Sequence, residues 1–297
     1  MGLKHKIKNP LLIAGFIFCL VALALALGLW RFDYFSGLAA DYVEKRKHEK
    51  EPLIVSDAGR WQTLQEGLEW RQVTFHRQGR LLSIFNLMAI RADAARMELR
   101  MLQVPPAALP DIDMERLAEM KNGLCLMNAN YFEPDFKVMG LLIVDGQTLS
   151  PLRKKGSIHH AVWLRRGVDV YLEHRANVNL AGVDQAFQAG PWLVTDGEAQ
   201  THFRHSDLVT RRSALGVDKK SRTVLLATDA VVGGMSLKEL AEILARPESH
   251  GGFGLWRAIN CDGGTSTQMI LRHAKANFVI HSTVHVPVYI GVFPPDS

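Results

Sequence analysis

The sequence predicts an α+β domain, a mixed but largely antiparallel sheet with a few packed helices, preceded by an N-terminal transmembrane helix. Three observations carry that reading. Apolar runs of strand length, some alternating and some continuous, recur from Trp61 to the C-terminus, punctuated by Asp-Gly and Asn-Gly pairs. Capped helical periodicity is confined to two segments of that stretch, so a regular strand–helix alternation is excluded. Residues 11 to 30, "LLIAGFIFCLVALALALGLW", carry no charge and have the length of a bilayer-spanning helix.

Lys4, Lys6 and Lys8 precede the apolar run and favour a cytoplasmic tail over residues 1–10. Trp30 closes the run as an interface anchor. Ala24-Leu25-Ala26 offers the rival reading of a cleaved signal peptide, but the apolar stretch continues past it. Both readings export the C-terminal domain. The expected protein is single-pass in a bacterial-type inner membrane, with its domain on the periplasmic or extracellular side. Residues 31–60, with the charge-dense "DYVEKRKHEKEP" and then Pro52 and Gly59, read as a stalk and linker, which leaves 61–297 as the domain.

Within the domain, "LEWRQVTF", "LLSIFNLMAIRAD" and "ARMELRMLQV" read as strands, with Gly79 marking a hairpin. "DIDMERLAEMKN" reads as a helix opened by an Asp cap and stopped at Asn122-Gly123. Strands come next at "LCLMNAN", on both sides of Asp145-Gly146, at "HHAVWLRRG", at "VDVYLEH" and through "QAFQAGPWLVTDGEAQ". "SALGVDKKSRTVLLATDA" predicts a hairpin around Asp218 to Ser221. "MSLKELAEILA" predicts a helix whose Ser236 and Glu239 form a capping box. "WRAINCDGGTSTQMILR" and "HVPVYIGVF" complete the strands.

Composition excludes some functions. A net charge of +5 is modest, and the basic residues are scattered without aromatic interleaving, which argues against nucleic-acid binding. Cys125 and Cys261, the two cysteines of the domain, sit in apolar surroundings and read as buried free thiols, with a disulfide in an oxidising compartment as the alternative. His281 and His285, taken as strand residues, would lie about 13 Å apart at about 3.3 Å per residue, too far to share a metal. His159 and His160 would point to opposite faces of a strand, and His202 and His205 flank Arg204 in a loop. "GVDKKS" lacks the spacing of a phosphate loop.

Three polar insertions interrupt the apolar strands: "NANYFEP" at 128–134, "TRRSALG" at 210–216 and "CDGGTST" at 261–267. In the last, Gly263 and Gly264 remove Cβ atoms, so that successive backbone N–H groups can converge on an anion, while Thr265 and Ser266 add hydroxyls. An ordinary Asp-Gly turn is the plain alternative, since such pairs recur at 145 and 196, but two glycines and three hydroxyl residues exceed what a turn requires. Arg211 and Arg212 are adjacent at a strand start and so point to opposite faces; a guanidinium there suits phosphate.

Taken in order, "LMNANYF", "GLLIVDG", "AGPWLVTDG", "RRSALGVD", "GGMSLKELAEIL" and "AINCDGGTSTQMI" resemble the phosphodiester glycosidase family over roughly residues 70–293. There are departures. Asn128-Ala129-Asn130-Tyr131-Phe132 stands where the family has an Asn-Gly-Gly-Phe-Phe-like run, Thr265 replaces a third glycine, and Asp229-Ala230-Val231 replaces Asp-Gly-Arg. The resemblance implies hydrolysis of the C1–O bond of a sugar-1-phosphodiester to free sugar and a phosphomonoester. Asp262 would act on water or support the cationic sugar, with Asp229 a second carboxylate of lower rank. Arg212 and the Gly263–Gly264 backbone, with Thr265 and Ser266, would hold phosphate, and Asn128 and Asn130 would bind sugar hydroxyls or phosphate. Arg211, Ser213 and Gly190 complete the expected binding set. A carboxylate beside an anion nest is a conflict: either the two face different parts of the substrate, or a divalent cation bridges them. The competing function is a non-catalytic glycan-binding protein of envelope polysaccharide assembly on the same fold. A sugar-kinase reading fails because its nucleotide loop would lie near the start of the fold.

Overall fold

A computed structural model describes residues 52–78, 83–156, 158–203 and 208–295. The expected tail, the apolar run at 11–30 and the stalk up to residue 51 lie outside them, as do Gly79, Arg204 and His205. Among the described residues no helix is long and apolar enough to cross a membrane.

The chain begins with β1 (Leu53–Asp57), β2 (Gln62–Gln65), β3 (Leu68–Arg77), β4 (Ile84–Ala92) and β5 (Glu98–Gln103). Helix α1 (Met114–Met120) leads to β6 (Cys125–Asn128), β7 (Leu142–Val144), β8 (Gln147–Ser150), β9 (Ala161–Arg166) and β10 (Asp169–His174). Then come β11 (Gln185–Ala189), β12 (Trp192–Thr195), β13 (Glu198–Ala199), β14 (Ser213–Val217) and β15 (Thr223–Asp229). Helix α2 (Leu237–Ala245) precedes β16 (Arg257–Asn260), β17 (Met269–His273), β18 (Ala276–Ile280) and β19 (Val288–Phe293).

The strands form three sheets. The largest runs β1-β3-β4-β15-β14-β16-β12-β13, with β2 also on β3. The other two are β10-β9-β11-β7-β8 and β18-β17-β6-β19-β5. Every named pair is antiparallel, so the parallel component implied by a mixed sheet is absent among the described residues. Residues 53–57, expected at the end of the linker, pair with β3 instead and belong to the sheet. In the sequence their short apolar run is masked by the charge and proline before it.

One core joins the three sheets: Leu68, Ile90, Leu215 and Ile259 from the first meet Trp163 and Phe187 from the second and Met101, Met127 and Ile290 from the third. The outer face of the large sheet is covered by α2, through Leu237, Leu240, Ala241 and Leu244. Strands β14 and β15 are therefore apolar on both sides, which explains their continuous rather than alternating pattern. Each helix is capped as its sequence predicts. Asp113 accepts from the N–H of Arg116, and the Ser236–Glu239 box is closed in both directions. Cys125 and Cys261 are buried and free.

Candidate active site

The three polar insertions meet where the end of β6 comes against the ends of the paired strands β14 and β16. Strand β16 pairs with β14 in a register that sets Asn260 opposite Ala214, and the N–H of Cys261 then donates to the carbonyl of Ser213. The 128–134 segment arrives from the neighbouring sheet, where the N–H of Asp262 donates to the carbonyl of Ala129. Antiparallel pairing of distant strands thus gathers residues more than 130 positions apart.

Asp262 sits at the start of this loop, partly buried. Desolvation pushes its carboxyl up to about 6, against the opposing hydrogen bonds from the Ser266 hydroxyl and the Gly263 N–H. The two glycines are required, though not as expected. A Cβ on Gly263 would lie 3.1 Å from the Arg211 carbonyl oxygen, and Gly264 has a φ of +63°. The Gly264 N–H donates to the Arg211 carbonyl at 2.9 Å, and the Ser266 and Thr267 N–H groups turn back to Gly263 and Gly264. The expected anion nest is therefore occupied by the protein itself: Gly263 stabilises the Asp262 carboxylate, and Gly264 staples the loop to the arginine strand. That removes the conflict between a carboxylate and a phosphate cradle. Thr265 is exposed, whereas Ser266 is buried against Asp262.

Arg211 and Arg212 do point apart. Arg212 is 7% exposed and donates from Nε to the Met235 carbonyl at 2.9 Å and from Nη2 to that of Leu208 at 2.6 Å. Among the described residues no carboxylate pairs with it, and burial lowers its pKa to about 10, so it stays charged at neutral pH. Arg211 reaches the other way, to the carbonyls of Thr267 and His281, both at 2.7 Å. Asp229 is exposed at the end of β15, within electrostatic reach of Arg211.

Several expected contact residues are engaged by the protein itself. Asn128 is fully buried; its Oδ1 accepts from the Ser213 hydroxyl at 2.7 Å and from the Gln268 N–H at 3.0 Å, and its amide donates to the Asp262 carbonyl. Asn128 and Ser213 are both fully buried, so their side chains face the protein rather than solvent. Asn130 donates to the carbonyls of Leu141 and Gln188, and among the described residues its buried Oδ1 has no partner. Gly190 has a φ of 149°, a Cβ there would lie 3.1 Å from the His160 N, and its carbonyl accepts from the Tyr131 hydroxyl at 2.8 Å.

Tyr131 is not among the residues the sequence singles out. Its hydroxyl accepts from Asn260 Nδ2 at 2.7 Å, and its pKa is raised by burial and by Asp262, while Arg212 opposes. His159 stands edge-on to its ring at 5.9 Å and is held down to about 4 by burial and by Arg153 and Arg175, so it is neutral. Among the described residues, buried Asn260 Oδ1 and His159 Nε2 are also without partners, which makes the surround of Tyr131 unusually polar for a core. Only Tyr131 carries a signal in the sequence, as part of "NANYF"; His159 and Asn260 acquire their places from sheet packing.

His281 and His285 lie in a loop rather than on a strand, lining a cavity of about 310 Å³ with Asp113 and Glu115. Among the described residues no three His, Cys, Asp or Glu side chains gather into a metal-binding group.

With the geometry in place, the likenesses acquire meaning. No curated protein matches the chain. Its fold is similar to the catalytic domain of zebrafish N-acetylglucosamine-1-phosphodiester alpha-N-acetylglucosaminidase, solved auto-inhibited by its pro-peptide, at 18% identity and a TM-score of 0.57 over 82% of this chain and 87% of that one. A hypothetical protein from Synechocystis is 16% identical with a TM-score of 0.51, over 80% of this chain and 64% of that one. An exported protein of Burkholderia pseudomallei is 10% identical with a TM-score of 0.54, over 84% and 99%. These show the fold. The family profile of phosphodiester glycosidases goes further, matching residues 122–293, a span that holds Asn128, Tyr131, Arg212 and Asp262 together. More than half of the chain, including every segment that builds the site, carries that pattern, and the chain belongs to the phosphodiester glycosidase family.

Proposed function

We propose that the protein is a membrane-anchored, envelope-facing glycosidase that hydrolyses a sugar-1-phosphodiester to free sugar and a phosphomonoester. The observation that carries this is that a partly buried carboxylate with a pKa of about 6 and a buried guanidinium, with which among the described residues no carboxylate pairs, both lie within electrostatic reach of the Tyr131 hydroxyl. A phosphodiester brings both the negative charge that Arg212 lacks and a leaving group that needs little protonation. What remains for the protein is to stabilise charge and place water, and a carboxylate serves the second task.

In this reading Asp262, ionised, activates water or supports the sugar cation, with Ser266 and the Gly263 N–H fixing its orientation. Arg212 contributes a fixed positive field from below the strand ends rather than a flexible clamp, because its Nε and Nη2 are already held by carbonyls. Arg211 and Thr265 stand nearer the surface as phosphate contacts. Tyr131, within electrostatic reach of both Arg212 and Asp262, helps set the field at each. Anchoring through residues 11–30 would keep the domain on the outer side of the inner membrane.

The test is hydrolysis of a panel of sugar-1-phosphodiesters by the full chain and by Asp262→Asn. Release of free sugar that the substitution lowers by about a hundredfold or more supports the glycosidase. Sugar binding without turnover on the whole panel would replace it with the glycan-binding reading.

A further inference from the structure

We propose that the loop after β15, together with Leu208 and Ile84, is a bilayer-contacting rim that seats the mouth of the site on a membrane surface; this rests on the reading of residues 11–30 as an anchor.

Exposure is the first observation. Val231 is 100% exposed, Ile84 68%, Val232 58% and Leu208 57%. Placement is the second. Leu53 pairs with Arg77, Ile84 with His76, and Asp229 with Asn86, so the start of β1, the end of β3, the start of β4 and the end of β15 share one end of the large sheet. Arg77 ties that end to the loop through Nη2 to the Gly234 carbonyl at 3.1 Å, and Thr210 bridges to Met235. The carbonyls that hold Arg212 belong to Leu208 and Met235, so the rim and the site share a backbone.

The described chain also enters at this end, where the Pro52 carbonyl accepts from the Gln78 N–H at 3.2 Å. In sequence, residues 31–51 separate this point from the apolar run. At no more than about 3.6 Å per residue, such a tether keeps the rim within reach of the surface that holds the anchor, and a tethered contact needs little affinity of its own. The chemistry favours lipid over a protein partner. Among the described residues the exposed side chains of the rim named above are all aliphatic, with Val231 projecting freely, where a protein interface is anchored by aromatic residues and arginine.

The experiment uses the full chain in phosphatidylcholine vesicles, on a Cys19→Ser background that leaves only the two buried thiols. An environment-sensitive fluorophore is placed at Val231→Cys, at Ile84→Cys, or at Val168→Cys, an exposed control in the turn between β9 and β10. Lipid-borne doxyl quencher should dim the first two labels by about twofold and leave the third unchanged. Adding Val232→Asp, at an exposed position the fold does not need, should reduce the quenching at residue 84. A protein that floats with the vesicles but is quenched no more at 231 than at 168 overturns the rim and leaves the anchor standing. A protein that does not float overturns both, and neither result bears on hydrolysis.

Discussion

The side-chain amide of Asn128 donates to the main-chain carbonyl of Asp262, a residue 134 positions later in the chain. The same side chain accepts from Ser213 and Gln268. One buried asparagine therefore locks β6, β14 and the Asp262 loop into a single unit.

Asn128→Ala should destabilise the protein by about 2–4 kcal/mol, because it leaves buried donors and an acceptor unpaired in a site that cannot hydrate them. Denaturant unfolding reads this directly. Asn128→Asp should be no better, since it buries a charge beside Asp262. A loss below about 0.5 kcal/mol would show that the network is dispensable.

Gly264→Ala tests the loop staple. The left-handed φ at this position disfavours any side chain, at a cost of about 1–2 kcal/mol. Relaxing that strain should pull the Gly264 N–H from the Arg211 carbonyl and lower turnover more than it lowers the melting temperature. The check is kcat alongside thermal unfolding.

Asp262 should also trade stability for function. Its carboxyl titrates from a reference of 3.8 to about 6 on folding, so the folded state favours the proton. The penalty is absent below the reference value, grows as pH rises through the interval, and is complete above about 6. Asp262→Asn should therefore be more stable than wild type at about pH 8, by about 1–3 kcal/mol, with the gap closing towards about pH 4. Melting curves across that range would show an equal gap at every pH if burial were not the cause.

Activity should carry the same signature with the opposite sign. If the ionised carboxylate is the working form, kcat/KM should fall about tenfold per pH unit below about 6 and level off above it. A fall as pH rises through that value would reassign Asp262 as a proton donor.

The elements are largely legible in the sequence because their signals are local. The Ser236–Glu239 box, the Asp113 cap and the turns at Asp145-Gly146 and Asp218–Ser221 each depend on a few adjacent residues. Strand β1 escapes such a reading because its partner lies some twenty residues on and its own run is short. In the site, Asp262 and Arg212 stand out as polar residues breaking apolar strands. The use of Gly263 and Gly264 does not show in the same way: pattern says that backbone can approach something closely, but not whether that is ligand or protein.

By itself the sequence determined the class of fold, the order of strands and helices along the chain, and the short motifs that mark the family. Only the tertiary structure decided what each side chain of the candidate site touches. Asn128, Ser213 and the two glycines are engaged by the protein itself, while His159 and Asn260 gather around Tyr131. The reason is physical. Strand propensity and capping are properties of neighbours in sequence, whereas burial, hydrogen-bond partners and the pKa they set arise only when antiparallel strands from distant parts of the chain are packed side by side.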